Sequence, residues 1–474
     1  MVPDVTDFMA SCDVSMAVST ELSQNSTWGG TRLVSGIGSR FWRGKVRART
    51  FRYAAAALLT AAFFLTGLGA GSVALAQPAT GYGQEQTHWV DPWQATGEVQ
   101  SLEAEVAPRG TAAPTIGHHT LGPIEQAIAK YREIASWGGW GFVPSGERLE
   151  IDVRDARVAK VRERLLATGD MTVSPGDPYL YDAELEAAVK YFQRRNGLDP
   201  DGIVGRRTIM AMNVPVQTRL KQLEINQRRI EKLAPQLAGR YIFVNIAGQE
   251  VEAVDNGRVE FHERVIVGTQ VRQTPEITSK VTSITFNPYW YVPKSIAMAD
   301  MLPKIRANPN YLKRQGIRVL QGWADNIREL DPAKIDWSNP RINEAYYLRQ
   351  DPGPWNSLGS LKINFPNNDA IFLHDTPTQT LFGRQERNFS SGCVRVQNVA
   401  DLVSWILQGD DPEWDASRVQ SSVAAGHYRN VHLSDAVPIY LVYLTAWVDM
   451  AGVVHFRDDV YARDGGVDTS GLSN

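Results

Sequence analysis

The segment IFLHDTPTQTLFGRQERNFSSGCVRV, residues 371–396, gathers a thiol, an imidazole and a guanidinium in one short stretch. A thiol attacks only as thiolate, and free cysteine titrates at about 8.5, so Cys393 needs a base or a cation nearby. His374 ends the apolar run AIFLH nineteen positions earlier. Two strands joined by such a loop could set its imidazole against the thiol, to take a proton and later return it to a leaving amine. Gly392 allows a tight turn, so the Gly392 and Cys393 amides could face a developing oxyanion. If CVRV is extended, Arg395 shares a face with Cys393, where it would hold a substrate carboxylate and favour the thiolate. The blander reading stands beside this one. A lone cysteine is commonly a small buried hydrophobe, a lone histidine at a strand end is commonly a satisfied surface group, and sequence alone does not give their separation.

The elements that would position these groups are strands. From Arg240 the pattern alternates, with a hairpin signal at Asp255-Asn256-Gly257. VTSITFNPYWYVP, SLKINFP and AIFLHDT continue it, and PIYLVYLTAWVDMAGVVHFRDDVY reads as a closing β-hairpin. Residues 296–348 break the alternation and read as a helical insertion. NVADLVSWILQG predicts a helix with Asn398 as N-cap, Asp401 at the capping-box position and Gly409 as C-cap. Upstream, 151–214 reads as three helices, the second capped by Asp182, flanked by helical scaffold segments at 120–150 and 215–238.

Two resemblances follow from these residues. The helix, AVKYFQRRNGL, DGIVG and short helix of 151–214 resemble a peptidoglycan-binding module. The His374-to-Arg395 segment resembles the active site of YkuD-type L,D-transpeptidases, whose pattern is a histidine, a loop and Ser-His-Gly-Cys-x-Arg. Here Ser391 replaces the second histidine. That departure, with RVIVG, NPYWYVP and DPGPWNSLG, resembles the YcbB-type subfamily. The implied fold is multidomain α+β: a β-rich L,D-transpeptidase catalytic domain over 239–463 with a helical cap insertion at 296–348, plus a three-helix peptidoglycan-binding domain. The resemblance implies Cys393 as nucleophile and His374 as general base. Gly392, Ser391 and Arg395 would form the oxyanion hole and support the site, and Arg387 would lie in the loop closing it. Tyr291 and Trp355 would line the substrate groove. Asp375 is expected to be structural, because in many members a backbone carbonyl completes the triad. The implied reaction is acyl transfer from tetrapeptide stems, with release of D-Ala and 3→3 cross-linking to a neighbouring stem. Donor and acceptor stem peptides are the partners, and peptidoglycan synthases or carboxypeptidases would act alongside. No cofactor or metal is implied. His118-His119 lacks the spacing of a zinc site.

The rest of the chain bounds these readings. A net charge of −3 over 474 residues offers no nucleic-acid footprint. Two cysteines, Cys12 and Cys393, build neither a disulfide framework nor a thiolate metal site. Basic residues from Arg40 to Arg52 precede an uncharged run from Tyr53 to Gln77 that ends in Ala74-Leu75-Ala76. This predicts a cytoplasmic extension at 1–52 and a signal peptide, or an uncleaved membrane anchor, at 53–76. A flexible linker at 77–119, a periplasmic location and a C-terminal tail at 464–474 complete the reading. A D,D-transpeptidase needs Ser-x-x-Lys, and no lysine here has serine three places before it. Two alternatives stay open: hydrolysis, exchange or protein anchoring at the same site, and a non-catalytic wall-binding scaffold.

Overall fold

The computed structural model describes residues 113–465 except 174–175, 309, 323–325 and 340–344. The expected N-terminal extension, the signal or anchor, Cys12, most of the linker and nearly all of the tail lie outside the described residues. Among the described residues no helix is long and apolar enough to cross a membrane.

The linker ends earlier than expected. Ile116 is buried in the core, and Thr115 donates to Glu252 through its amide (3.0 Å) and its hydroxyl (2.5 Å). Helix α1 (Leu121–Ser136) follows, then the module: α2 (Ala156–Thr168), α3 (Ala183–Arg195) and α4 (Arg206–Asn213). Asp155 and Asp182 cap α2 and α3 through side-chain bonds to backbone amides, satisfying donors that the first turn leaves open. The module has its own core, built on Val158, Leu165, Leu185, Val189 and Phe192. Helix α5 (Val216–Leu233) then packs along α1.

The second half of the chain builds a sheet of β1 (Arg240–Asn245), β2 (Glu250–Asp255), β3 (Arg258–Gly268), β4 (Ile277–Phe286), β9 (Leu361–Asn364), β10 (Leu373–His374), β11 (Asn388–Ser390), β12 (Val394–Val396) and β13 (Arg429–Val442). Strands β5 (Trp290–Tyr291), β6 (Ile317–Gln321), β7 (Arg328–Leu330) and β8 (Tyr347–Gln350) fall between β4 and β9. The sheet order is β11-β3-β12-β10-β9-β4-β13-β1-β2, and β2 also pairs with β3, so every strand but β11 joins a closed ring. Closure leaves the ring without a free edge. The expected turn at Asp255 is present, with Asn256 and Gly257 both left-handed as a two-residue hairpin requires. Alternation sorts the side chains. Ile242 and Val244 join one core with helix α6 (Val399–Gln408) and Trp414, whereas Tyr241 and Phe243 join another beneath α1 and α5.

Three local readings need correction. The insertion is not purely helical: β5, β8, β6 and β7 form a separate four-stranded sheet, with short helical turns between residues 294 and 314. Its strands are too short to show a clear alternation, and β5 and β8 pair across the whole insertion. Asn398 stands at the start of α6 but is itself left-handed and makes no side-chain cap; its amide instead donates to Glu263 at 2.7 Å. Gly409 closes the other end as the expected C-cap, in a right-handed conformation. The closing hairpin is confined to β14 (Ala446–Val448) and β15 (Val454–Phe456), because β13 belongs to the main ring between β1 and β4.

Candidate active site

Register brings the chemistry together. β10 runs parallel to β12, with Leu373 opposite Val394 and His374 opposite Arg395. Leu373 and Val394 point into the apolar core. Their neighbours His374, Cys393 and Arg395 therefore share the opposite face, with Cys393 diagonal to His374. On the other side of β10, β9 sets Lys362 opposite His374. The resulting row across three strands is Lys362, His374, Arg395.

The loop before β12 holds the thiol. Ser390 is buried; its hydroxyl accepts from the Gly392 amide (3.1 Å) and donates to the Cys393 carbonyl (2.5 Å). The Gly392 carbonyl accepts from the Thr274 hydroxyl at 2.8 Å. Gly392 has φ +118, and a Cβ there would stand 3.2 Å from Ile371 Cδ1, so an L side chain would be strained as well as crowded. The expectation for Gly392 divides accordingly: its turn is used, but its amide is already bonded to Ser390. Ser391 accepts from Arg272 Nη1 at 3.0 Å, and Arg272 makes a two-pronged pair with Asp300 (2.5 and 3.0 Å). Asp300 sits in a π-helical turn, Ala297–Met301, of the inserted subdomain, so this arginine ties the insertion to the thiol loop.

His374 is 4 % exposed, with Nδ1 2.5 Å from the Asp375 carbonyl oxygen. That contact assigns the proton to Nδ1 and the lone pair to Nε2. The Asp375 carboxylate is occupied elsewhere, accepting from the Ser360 amide and hydroxyl, the Thr376 amide and Gln379. It packs so close to Gly359 that a Cβ there would meet its carboxyl carbon at 2.4 Å. Asp375 thus positions the backbone whose carbonyl holds the histidine.

The electrostatics set burial against the charges expected to favour the thiolate. Burial, reinforced by the Arg395 charge, pushes His374 down to about 3. Burial also raises the Cys393 thiol, outweighing the Phe372 amide, Lys362 and Arg395, which all favour the thiolate. The resting pair is therefore neutral thiol and neutral imidazole, and Arg395 does not by itself make a resting thiolate. Arg395 is 5 % exposed, its Nε and Nη1 have no protein partner, and burial pushes it down to about 10.

The other expected residues lie apart from this cluster. Arg387 is buried and donates to the carbonyls of Val265, Gln249, Arg384 and Gln385, so it braces its own loop and has no free face for substrate. Tyr291 stacks on Tyr347 at 6.2 Å within the insertion. Trp355 is 62 % exposed beside a cavity of about 500 Å³ lined also by Arg318, Glu329 and Asp351. Sequence reasoning missed Ser390, Arg272, Asp300 and Lys362. The doubled serine before Gly392 was a signal for the first. For Lys362 the only signal was a lone cation between Leu361 and Ile363. Among the described residues no group of three or more histidine, cysteine or acidic side chains is placed to hold a metal ion.

Residues 239–420, which hold this whole cluster, match the family model for the YkuD L,D-transpeptidase catalytic domain. The chain carries an L,D-transpeptidase catalytic domain. A peptidoglycan-binding domain model matches residues 154–212, the three-helix module. A Haemophilus influenzae protein named "Putative L,D-transpeptidase" is 33 % identical over 264 residues, which are 55 % of this chain and 52 % of that protein. The chain thus spans about half the length of that relative. Among solved structures, an L,D-transpeptidase from Stackebrandtia nassauensis is 14 % identical, covering 64 % of this chain and 96 % of that one, with a TM-score of 0.25. One from Xylanimonas cellulosilytica is also 14 % identical, covering 63 % and 99 %, with a TM-score of 0.20. Within the matched residues the sheet brings together a thiol, a neutral imidazole, two cations and a backbone turn.

Proposed function

We propose that the protein is an exported L,D-transpeptidase that forms 3→3 peptidoglycan cross-links through a Cys393 acyl-enzyme. The observation that carries this reading is the shared face of Cys393, His374 and Arg395 inside the matched catalytic domain. His374 Nε2 takes the thiol proton as Sγ attacks the carbonyl of the third stem residue. The amide C–N bond breaks, His374 returns the proton to the departing D-Ala amine, and a thioester remains. The side-chain amine of a diamino acid on a second stem then attacks the thioester. The C–S bond breaks and the thiol is restored. With the Gly392 amide bonded to Ser390, the Cys393 amide and Arg395 are the donors we assign to the oxyanion. The module would hold the strand being modified. Ser391 and the inserted subdomain support a YcbB-type subfamily, and the basic and apolar N-terminal run supports a periplasmic site, reached by a cleaved signal or held by an anchor.

The test is incubation of the purified chain with tetrapeptide muropeptides, read by mass spectrometry. The expected product is a dimer formed with loss of one free D-Ala and absent with Cys393→Ala. Tripeptide alone would replace cross-linking with hydrolysis, and unchanged substrate bound to the protein would replace catalysis with scaffolding.

A further inference from the structure

Lys362 lies in β9 between Leu361 and Ile363, whose side chains enter the apolar core. Its own side chain therefore leaves by the opposite face, the face of His374 and Arg395. Its Nζ stands 4.2 Å from the centre of the Phe372 ring, and that ring meets the His374 ring edge-on at 5.6 Å. Phe372 also supplies the backbone amide that bonds the Cys393 sulfur. Lysine, thiol and imidazole are thus gathered around one phenylalanine.

A half-buried lysine in a sheet is ordinarily matched with a carboxylate. Here burial pushes Lys362 down, and Cys393 is the charge that supports its ammonium. The titratable and charged groups facing Cys393 are Lys362 from β9, His374 from β10 and Arg395 from β12. The nearby acids are committed elsewhere: Asp375 to Ser360, Thr376 and Gln379, and Asp300 to Arg272. A neutral base between two cations, with no acid in the row, is an environment that favours an anion.

We propose that Lys362 is a positioning residue of the acyl-transfer site: its ammonium holds the Cys393 thiolate after the S–H proton has moved to His374 Nε2. This deepens the reading above and rests on it. Arg395 is fixed on one side of the imidazole, and Lys362 supplies the matching charge on the other. Because both cations also repel a protonated His374, they keep the base free until the thiol gives up its proton.

The test is alkylation of the intact chain by iodoacetamide across about pH 6 to 10, followed on the peptide that carries Cys393 so that Cys12 does not contribute. Wild type is compared with Lys362→Met, Lys362→Gln and Lys362→Arg, with melting curves to confirm folding. Removing the charge should raise the thiol midpoint by about one unit and slow neutral-pH alkylation about tenfold. It should also raise the His374 imidazole titration seen by NMR, while Lys362→Arg stays near wild type. Folded Lys362→Met or Lys362→Gln with the wild-type profile would overturn the proposal, as would a change confined to the KM for muropeptide. Alkylation needs no wall peptide, so its outcome is independent of whether the chain cross-links.

Discussion

Two regions of this molecule bury arginines and treat them differently. At the junction of the helical module and the catalytic domain, the cations have partners. Arg195 is enclosed with the Asp170 carboxylate, and Arg229 pairs with Asp464 at 2.6 Å. Arg219 bonds Gln222 at 3.0 Å and lies 4.5 Å from the Phe456 ring centre. On the sheet face that carries His374, Arg395 and Lys362 flank a neutral histidine and no acid joins them. A buried charge costs several kcal/mol unless it is paired. Junction residues recover that cost by pairing in the folded state. Lys362 and Arg395 leave it in place, which fits the proposed site, whose anion would arise only during reaction.

The largest effect should come from removing that anion. Cys393→Ala should lower cross-linking at least about 10³-fold, since losing a nucleophile leaves only residual binding effects. Its melting temperature should stay within a few degrees of wild type, because the thiol is half-buried and its polar contacts are weak sulfur bonds, a long 3.8 Å contact to the Ala370 carbonyl and one from the Phe372 amide. If the thiol is the acyl-accepting nucleophile, a carbapenem, whose β-lactam carbonyl it would open, should give a mass adduct on wild type and none on Cys393→Ala. An adduct that persisted on Cys393→Ala would break the contrast by putting the nucleophile elsewhere.

The junction should respond in the opposite manner. Asp170→Ala strips the acid from Arg195, whose side chain is almost wholly enclosed, and should cost about 3–5 kcal/mol of stability, read by urea unfolding. Turnover per folded molecule should be unchanged. A fall in kcat with native stability would show that the junction is part of the site.

How much of this contrast could be read from sequence depends on how local each feature is. Asp182 and the Asp255-Asn256-Gly257 turn act within a few residues, and both were legible. His374, Cys393 and Arg395 lie in one segment, so their proximity could be anticipated, though not their protonation, because burial is a property of the assembled ring. Lys362 was not legible: it meets His374 only through the pairing of β9 with β10. The sheet in the insertion was hidden for the same reason. Asn398 shows the converse failure, a good local signal overruled by a tertiary bond to Glu263.

A smaller effect is a slope with pH. His374 holds its proton only near pH 3 when folded, against about 6.5 for an ordinary histidine. Between those values the unfolded chain binds a proton that the folded chain does not. Stability from this group is therefore complete above about 6.5 and falls as pH drops towards 3, by at most about 1.4 kcal/mol per unit. Unfolding of wild type and His374→Gln from pH 7 to 4 should diverge by that slope. Parallel curves would mean that the imidazole is protonated in the folded state, and the neutral-pair picture of the site would fail.

The smallest effect should come from a contact that the module makes with the loop before the thiol through exposed charge. Arg207 in α4 bonds Gln385 at 2.7 Å and Glu386 at 2.6 Å, and both charged side chains are more than half exposed. Water and salt screen such a pair, and holding two long side chains still costs entropy. Arg207→Ala should therefore change stability by less than about 0.5 kcal/mol. The buried bonds of α5 should keep the rest of the junction in place: Gln222 to the Thr445 and Arg457 carbonyls, and Asn226 to the Thr445 hydroxyl and amide. If Arg207→Ala instead cost several kcal/mol, the division into paired structural charge and unpaired catalytic charge would be too simple, because an exposed pair would then be doing the work assigned to buried ones. Urea unfolding at low and high salt separates the cases: a screened surface pair loses its small contribution in high salt, and a buried network does not.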